Sequence, residues 1–175
     1  IAGSWIVTTT GTVWNCIITT NLTIHVSTSV KITDTSASTK SFYGGSGLTY
    51  GSLWSLGGSG TVDLIHSNTY TDFRIDAPYS LRMTAGTTQT FTNAPVWTGT
   101  AGNVGTIGSI TAASHTLVLS NGTTNYDYMS ISRSTATPGT LTWYAGANST
   151  DGLNNSGWIF TAAPSGNTYA FFMLF

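Results

Sequence analysis

Charge is nearly missing from this sequence. Only 6% of residues are charged, the net charge is −1, and the acids are six aspartates without a single glutamate. So little basic character leaves no electrostatic footprint for nucleic acid. The few carboxylates leave a small supply for paired acid–base chemistry. There is one cysteine, Cys16, which excludes an internal disulfide and leaves the redox compartment open. Its neighbours Trp14, Ile17 and Ile18 are apolar, which suggests a buried structural thiol rather than a reactive one. No apolar run is long enough to cross a membrane as a helix, and no signal peptide is visible. The first residue is Ile rather than Met, which suggests a chain processed or cut from a longer one. Helical periodicity is also missing, since no stretch of a dozen residues keeps an apolar stripe.

What remains is rich in strand formers. Hydrophobic residues make up 40% and aromatics 12% of the chain. Ser and Thr together reach roughly a third, well above ordinary usage. That apolar content argues against a disordered linker, because disordered chains cannot assemble a core. Thr, Val, Ile, Tyr, Phe and Trp all suit a pleated surface. The composition predicts one all-β domain.

A unit recurs along the chain. Thr49-Tyr50 leads to Trp54-Ser55-Leu56, Thr69-Tyr70 to Phe73-Arg74-Ile75, and Thr90-Phe91 to Ala94-Pro95-Val96. Asn125-Tyr126 with Met129-Ser130-Ile131 forms a looser fourth copy. The first three copies return at about 20 residues, a fixed period of the kind stacked repeats produce. Val62-Asp63-Leu64 and Leu81-Arg82-Met83 form a second matched pair at nearly the same offset. The alternation predicts Val62, Leu64, Leu81 and Met83 inside, with Asp63 and Arg82 outside as an exposed ion pair. Trp5–Thr10, Val13–Thr19, Leu22–Val26 and Val30–Thr33 read as short strands before the repeats. Gly-rich corners separate the copies. The period favours a parallel β-solenoid whose coils bury their inner faces on one another. A β-sandwich is the alternative, since hairpin-paired strands need no period. Alternation at Tyr169, Phe171, Met173 and Phe175 raises an outer-membrane barrel, but most alternating runs are too short to span.

From Met129 onward the chain reads Met129-Ser130-Ile131-Ser132-Arg133-Ser134, then Trp143-Tyr144-Ala145-Gly146-Ala147-Asn148-Ser149-Thr150-Asp151-Gly152, then Asn154-Asn155-Ser156-Gly157-Trp158-Ile159-Phe160. This resembles the C-terminal end of a repetitive β-helix family common in bacteriophage virion proteins and environmental phage sequences. Thr33-Asp34-Thr35-Ser36-Ala37, Thr84 to Phe91 and the final Phe171-Phe172-Met173-Leu174-Phe175 are similar to that family too. The resemblance implies a virion structural or appendage protein, a homo-oligomer with a trimer preferred, other virion proteins as partners, and a host surface glycan as a further partner. A bacterial surface protein is the alternative location. It brings no catalytic residue, cofactor or metal, and neither nucleic acid nor membrane insertion enters the expectation. Residues 1–164 are expected to form the solenoid with its cap, and residues 165–175 an apolar tail. That tail, Phe171 to Phe175, is the expected assembly interface, because large apolar residues at a chain end are costly to leave in water.

For chemistry, the aspartates come first, because β-helix spikes often cut polysaccharide. Asp72 and Asp76 fall on one face of a strand with Arg74 between them, about 13 Å apart at 3.3 Å per residue. Glycosidases place their carboxyls about 5–9.5 Å apart. A solvated ion ladder is the simpler account, although a pair across neighbouring strands stays open. His25, His66 and His115 lack metal-ligand spacing. Asp151-Gly152-Leu153-Asn154-Asn155 offers oxygens to calcium, or a turn held by its own side chains. Trp143, Tyr144 and Trp158 are the candidate glycan-stacking surface. The same residues could instead close the open end of the solenoid.

Overall fold

A computed structural model describes residues 4–8, 10–16, 24–25, 27–138 and 140–165. All regular elements among them are strands, and every paired strand is parallel to its neighbour. A first seven-stranded sheet takes β1 (Ser4–Val7), β3 (Ser29–Ile32), β5 (Leu48–Ser55), β7 (Asn68–Ile75), β9 (Thr88–Phe91), β11 (His115–Leu119) and β14 (Ser134–Thr137) in that order. A second seven-stranded sheet takes β2 (Gly11–Asn15), β4 (Lys40–Tyr43), β6 (Thr61–Ile65), β8 (Tyr79–Met83), β10 (Gly105–Ser109), β13 (Met129–Ile131) and β16 (Thr150–Asp151). Toward the C-terminus, β12 (Thr124–Asn125), β15 (Trp143–Tyr144) and β17 (Trp158–Ile159) add a three-stranded third side. Successive strands pass from one sheet to the next, so each coil lies on the one before it. This is a parallel β-solenoid. A sandwich built from hairpins does not form.

The repeat is the stacking register. Tyr50, Leu53, Trp54 and Ser55 sit opposite Tyr70, Phe73, Arg74 and Ile75. Tyr70 in turn sits opposite Phe91. Val62, Asp63 and Leu64 face Leu81, Arg82 and Met83, and the four apolar members are at most 3% exposed. Strands β5 and β7 bend near Gly51 and Thr71, so residues 50 and 53, and 70 and 73, all point inward. The first sheet is thereby folded into two outer facets. Gly57 marks one corner: its φ is +71°, and a Cβ there would strike the Asp76 carbonyl. Only glycine fits such a site without strain.

Three readings of the repeat need correction. Trp54 sits opposite Arg74 and Ser55 opposite Ile75, one residue off the expected match of Trp54-Ser55-Leu56 to Phe73-Arg74-Ile75. Val96 aligns with Arg74 rather than with Ile75, which turns Val96 outward (56% exposed) and Pro95 inward. A one-residue slip moves side chains to the opposite face. The fourth copy is also split: Asn125 pairs in the third sheet, and Met129–Ile131 in the second. Of the early strands, Trp5–Thr10 and Val13–Thr19 keep shorter described strands and Val30–Thr33 begins and ends one residue earlier, with Thr9 and residues 17–19 outside the described residues. They form Ser4–Val7, Gly11–Asn15 and Ser29–Ile32. In the Leu22–Val26 segment Ile24 is buried and His25 exposed, while Leu22, Thr23 and Val26 lie outside the described residues.

A chain of aromatic contacts runs along the whole axis. Trp5, Trp14, Tyr50, Tyr70, Phe91, Trp97, Tyr126, Trp158 and Trp143 follow one another with ring centres 5.1–6.4 Å apart. Tyr50, Tyr70 and Phe91 are near-parallel stacks, as identical positions on successive coils dictate. Most other members meet edge-on or tilted, the geometry aromatic quadrupoles prefer.

Candidate functional site

Lys31, Asp72, Arg74 and Asp76 lie on or beside the second facet of the first sheet, the part of β5 and β7 after the bend. Lys31, Trp54 and Arg74 occupy one outward column on β3, β5 and β7. The Lys31 ammonium lies 3.7 Å and the Arg74 guanidinium 4.7 Å from the Trp54 ring centre. Trp54 Nε1 donates to Asp76 Oδ2 at 3.1 Å, and Arg74 Nε to Asp76 Oδ1 at 2.6 Å. Asn93 donates to Asp72 Oδ1 at 2.9 Å. Beside them lies a shallow groove of about 220 Å³, lined by Ser52, Trp54, Asp72, Phe73, Arg74, Ala94 and Val96. The Arg74 ion pair is half in solvent, at 51% and 28% side-chain exposure, so it resembles the solvated ladder expected. An apolar floor edged by a carboxylate, an amide and a guanidinium is suited to recognition. No ladder position sets two described aspartates opposite one another, since Asp72 faces Ser52, Asp63 faces Arg82 and Asp151 faces Ile131.

On the second sheet Asp63 and Arg82 meet as expected, through two hydrogen bonds of 2.8 and 2.9 Å. The pair is less exposed than the sequence suggests: the Asp63 side chain is only 9% exposed against 37% for Arg82. Its bonds to Asp63 hold the Arg82 guanidinium above its ordinary value.

The glycan-stacking expectation fails on burial. Trp143 is fully buried and Trp158 is 9% exposed; their rings meet at 5.1 Å and 67° inside the last coils. Trp158 Nε1 donates to Ser134 Oγ at 3.0 Å. Neither ring has a face to offer a sugar, and Tyr144, between them in sequence, is half-buried. Trp143 and Trp158 belong to the core of the last described coils. The expected interface, Phe171, Phe172, Met173, Leu174 and Phe175, lies outside the described residues.

The Asp151 loop is a self-held turn. Asp151 Oδ1 accepts from the Leu153 amide at 2.9 Å and from Asn155 Nδ2 at 2.6 Å. Asn155 Nδ2 also donates to the Ile131 carbonyl, and its Oδ1 accepts from the Ser134 amide at 3.0 Å. Asp127 does the same one coil earlier, accepting from the Tyr128 amide and from the amide and side chain of Asn148. Burial pushes the Asp127 carboxyl up, but the Asn148 and Tyr128 donors outweigh it and hold it below its ordinary value. Bonds from Ser36, helped by Lys40, lower Asp34 likewise. Among the described residues no cluster of three or more His, Cys or acidic side chains could hold a metal.

Two polar residues are buried that the sequence reading did not place inside. Lys40 is 1% exposed, its ammonium donating to the Ser36 carbonyl at 2.7 Å with Asp34 at 3.5 Å. His115 is fully buried, its Nδ1 2.8 Å from Ser109 Oγ and its Nε2 without a hydrogen-bond partner among the described residues. Burial pushes His115 down to about 4. Cys16 is half-buried against the core rather than enclosed. The signal for Lys40 and His115 was their place in alternating runs, inward by parity in Lys40-Ser41-Phe42 and His115-Thr116-Leu117.

Comparison of the chain with family profiles, with curated proteins and with solved structures finds no match.

Proposed function

We propose that this chain is a non-enzymatic structural and host-contact segment of a bacteriophage virion, as part of a fibre, spike or capsid-decorating appendage. The supporting observation is the continuous parallel pairing of two seven-stranded sheets around one apolar column. Such a stack is a rod whose stiffness adds coil by coil, and mechanical continuity is what an appendage needs. The resemblance of residues 129–160 to phage β-helix proteins points the rod to a virion. Copies of the chain assemble as a homo-oligomer, a trimer by preference, alongside other virion proteins. The groove beside Trp54 is the contact point for a host surface glycan, replacing the buried Trp143 and Trp158.

Two readings from other classes have their own signatures. A glycan-degrading tailspike domain would release reducing ends from host polysaccharide, and a bacterial adhesin would sit on the cell envelope. Antibody against the chain, applied to lysates of producing cells under the electron microscope, separates them. Label along a particle appendage, with no reducing ends released by the purified chain, is the expected result. Label on envelopes free of particles would replace the virion with an adhesin, and release of reducing ends would restore the enzyme.

A further inference from the structure

The first facet of the first sheet presents hydroxyls in two dimensions. One outward column runs Thr88, Thr116, Thr135 and Ser156 in direct register. Ser67 extends it, accepting the Thr88 amide at 3.0 Å. A second column, two residues farther along each strand, runs Thr49, Thr69, Thr90, Val118 and Thr137. Neighbours in a column are about 4.8 Å apart, and the columns are about 6.6 Å apart along the strands. Val118 interrupts the hydroxyls but keeps the branched shape of Thr, so the methyl pattern is unbroken. None of these positions is charged.

Two further observations concern water. Thr49 is exposed, and Thr69, Thr88, Thr90, Thr116 and Thr137 are half-exposed, so both columns reach solvent. Between the columns lies a trough of about 190 Å³, walled by Gly47, Ser67, Asn68, Thr69, Thr88 and Thr90. The trough is wide enough for a file of ordered waters. The contrast with the second sheet is informative. There Thr61, Ser80, Thr106, Ser130 and Thr150 also form a column, but the column beside it holds Asp63, Arg82 and Gly108. Among the described residues, the first facet alone repeats in both directions without charge.

We propose that this facet binds ice. Ice offers oxygens at a fixed two-dimensional repeat of this scale. A rigid array of methyls and open hydroxyls at matching spacing holds its first water layer in crystal order. Each hydroxyl–water contact is weak, and the attachment comes from many made at once, which requires geometry that lets all engage together. A charged side chain would instead fix water in its own hydration shell. The inference rests on the fold and the register, and it stands apart from the virion assignment.

Partition into slowly growing ice tests it, with the full chain and an inert reference protein in one solution. The chain should be enriched in the ice fraction over the reference. Thr90→Lys and Thr116→Tyr, at the centre of the array, should fall to the reference level. Thr106→Tyr, on the second sheet, should stay with the parent. Circular dichroism and melting temperature check that each variant is folded. Thr116→Val keeps shape and fold while removing one hydroxyl, so its partial loss answers the question if the bulkier variants unfold. The proposal is overturned if the parent chain is no more enriched than the reference, or if Thr106→Tyr loses as much as the array variants. It is also overturned if no enrichment occurs while Thr90→Lys changes the sedimentation of the folded chain, since the facet is then an interface between copies.

Discussion

The coils from Leu48 to Phe91 and the coils from Thr124 to Ile159 are held together by different chemistry. In the first, eight-residue strands pair in long register and large rings fill the centre, with Tyr50, Tyr70 and Phe91 stacked and Phe73 packed edge-on against two of them. In the second, the third-side strands are two residues long. Much of the stacking there passes through side chains returned to backbone: Asp127 to the Asn148 amide, Ser149 to the Met129 amide and Ala145 carbonyl, Asn155 to the Ser134 amide and Ile131 carbonyl. Where strands are long, the ladder satisfies the backbone and packing supplies the free energy. Where they are short, Asp, Asn and Ser replace missing ladder bonds. Lateral deletions should therefore hurt the central coils most, and polar deletions should act locally at the C-terminal end.

The largest effect is expected from Phe91→Ala. Phe91 is fully buried and touches Tyr70, Phe73 and Trp97. Removing its ring leaves a cavity that stacked coils cannot collapse without breaking register, for a cost of about 4 kcal/mol. Urea unfolding should show the midpoint falling by that equivalent. A loss below about 1 kcal/mol would mean that the central coils do not depend on the aromatic column.

His115 stands at the junction of the two regions, and it sharpens the comparison through pH. Its folded pKa of about 4 lies below the ordinary 6.5 because burial disfavours the charged ring. Between those values the unfolded chain binds more protons, so stability rises with pH. The contribution is fully present above about 6.5 and is lost as pH falls to about 4, with an upper size of about 3 kcal/mol. Asp34 and Asp127, lowered from 3.8, lose their contributions only below that window. Urea midpoints measured from pH 7 to 4 should fall for the parent chain and stay nearly level for His115→Gln. Equal slopes in the two proteins would remove His115 as the cause.

The central coils were legible in the sequence because packing there obeys one period. Val62-Asp63-Leu64 against Leu81-Arg82-Met83 is read directly from spacing, and the structure keeps that register. Pro95 and Val96 were misplaced by one residue because the third copy holds an extra residue between Phe91 and the outward position. Spacing alone cannot say where such a residue is absorbed. Trp143 and Trp158 were ambiguous for a different reason. A tryptophan serves equally as a lid or as a platform, and only the coils on either side decide. Which threonines share a column was not legible, since it depends on which of them meet across strands of unequal spacing.

The smallest effect belongs to Asn155, and it tests the C-terminal half of the comparison. Asn155→Ala removes the bonds to the Ile131 carbonyl, the Asp151 carboxylate and the Ser134 amide. Net worth per bond is about 1 kcal/mol, and the side chain is only half-buried, so water replaces part of the loss. A cost of about 2 kcal/mol is expected. Its distribution matters more than its size. If these side chains substitute for ladder bonds, hydrogen exchange should quicken at Ser134, Arg133 and Gly152, the amides around the turn. Exchange at the amides of Tyr70 to Phe91 should keep its parent protection, because subglobal openings are confined to the weakened unit. Quickening spread evenly over both regions would mean that the two ends of the rod unfold as one. Local side-chain bonding would then be incidental to what holds the last coils.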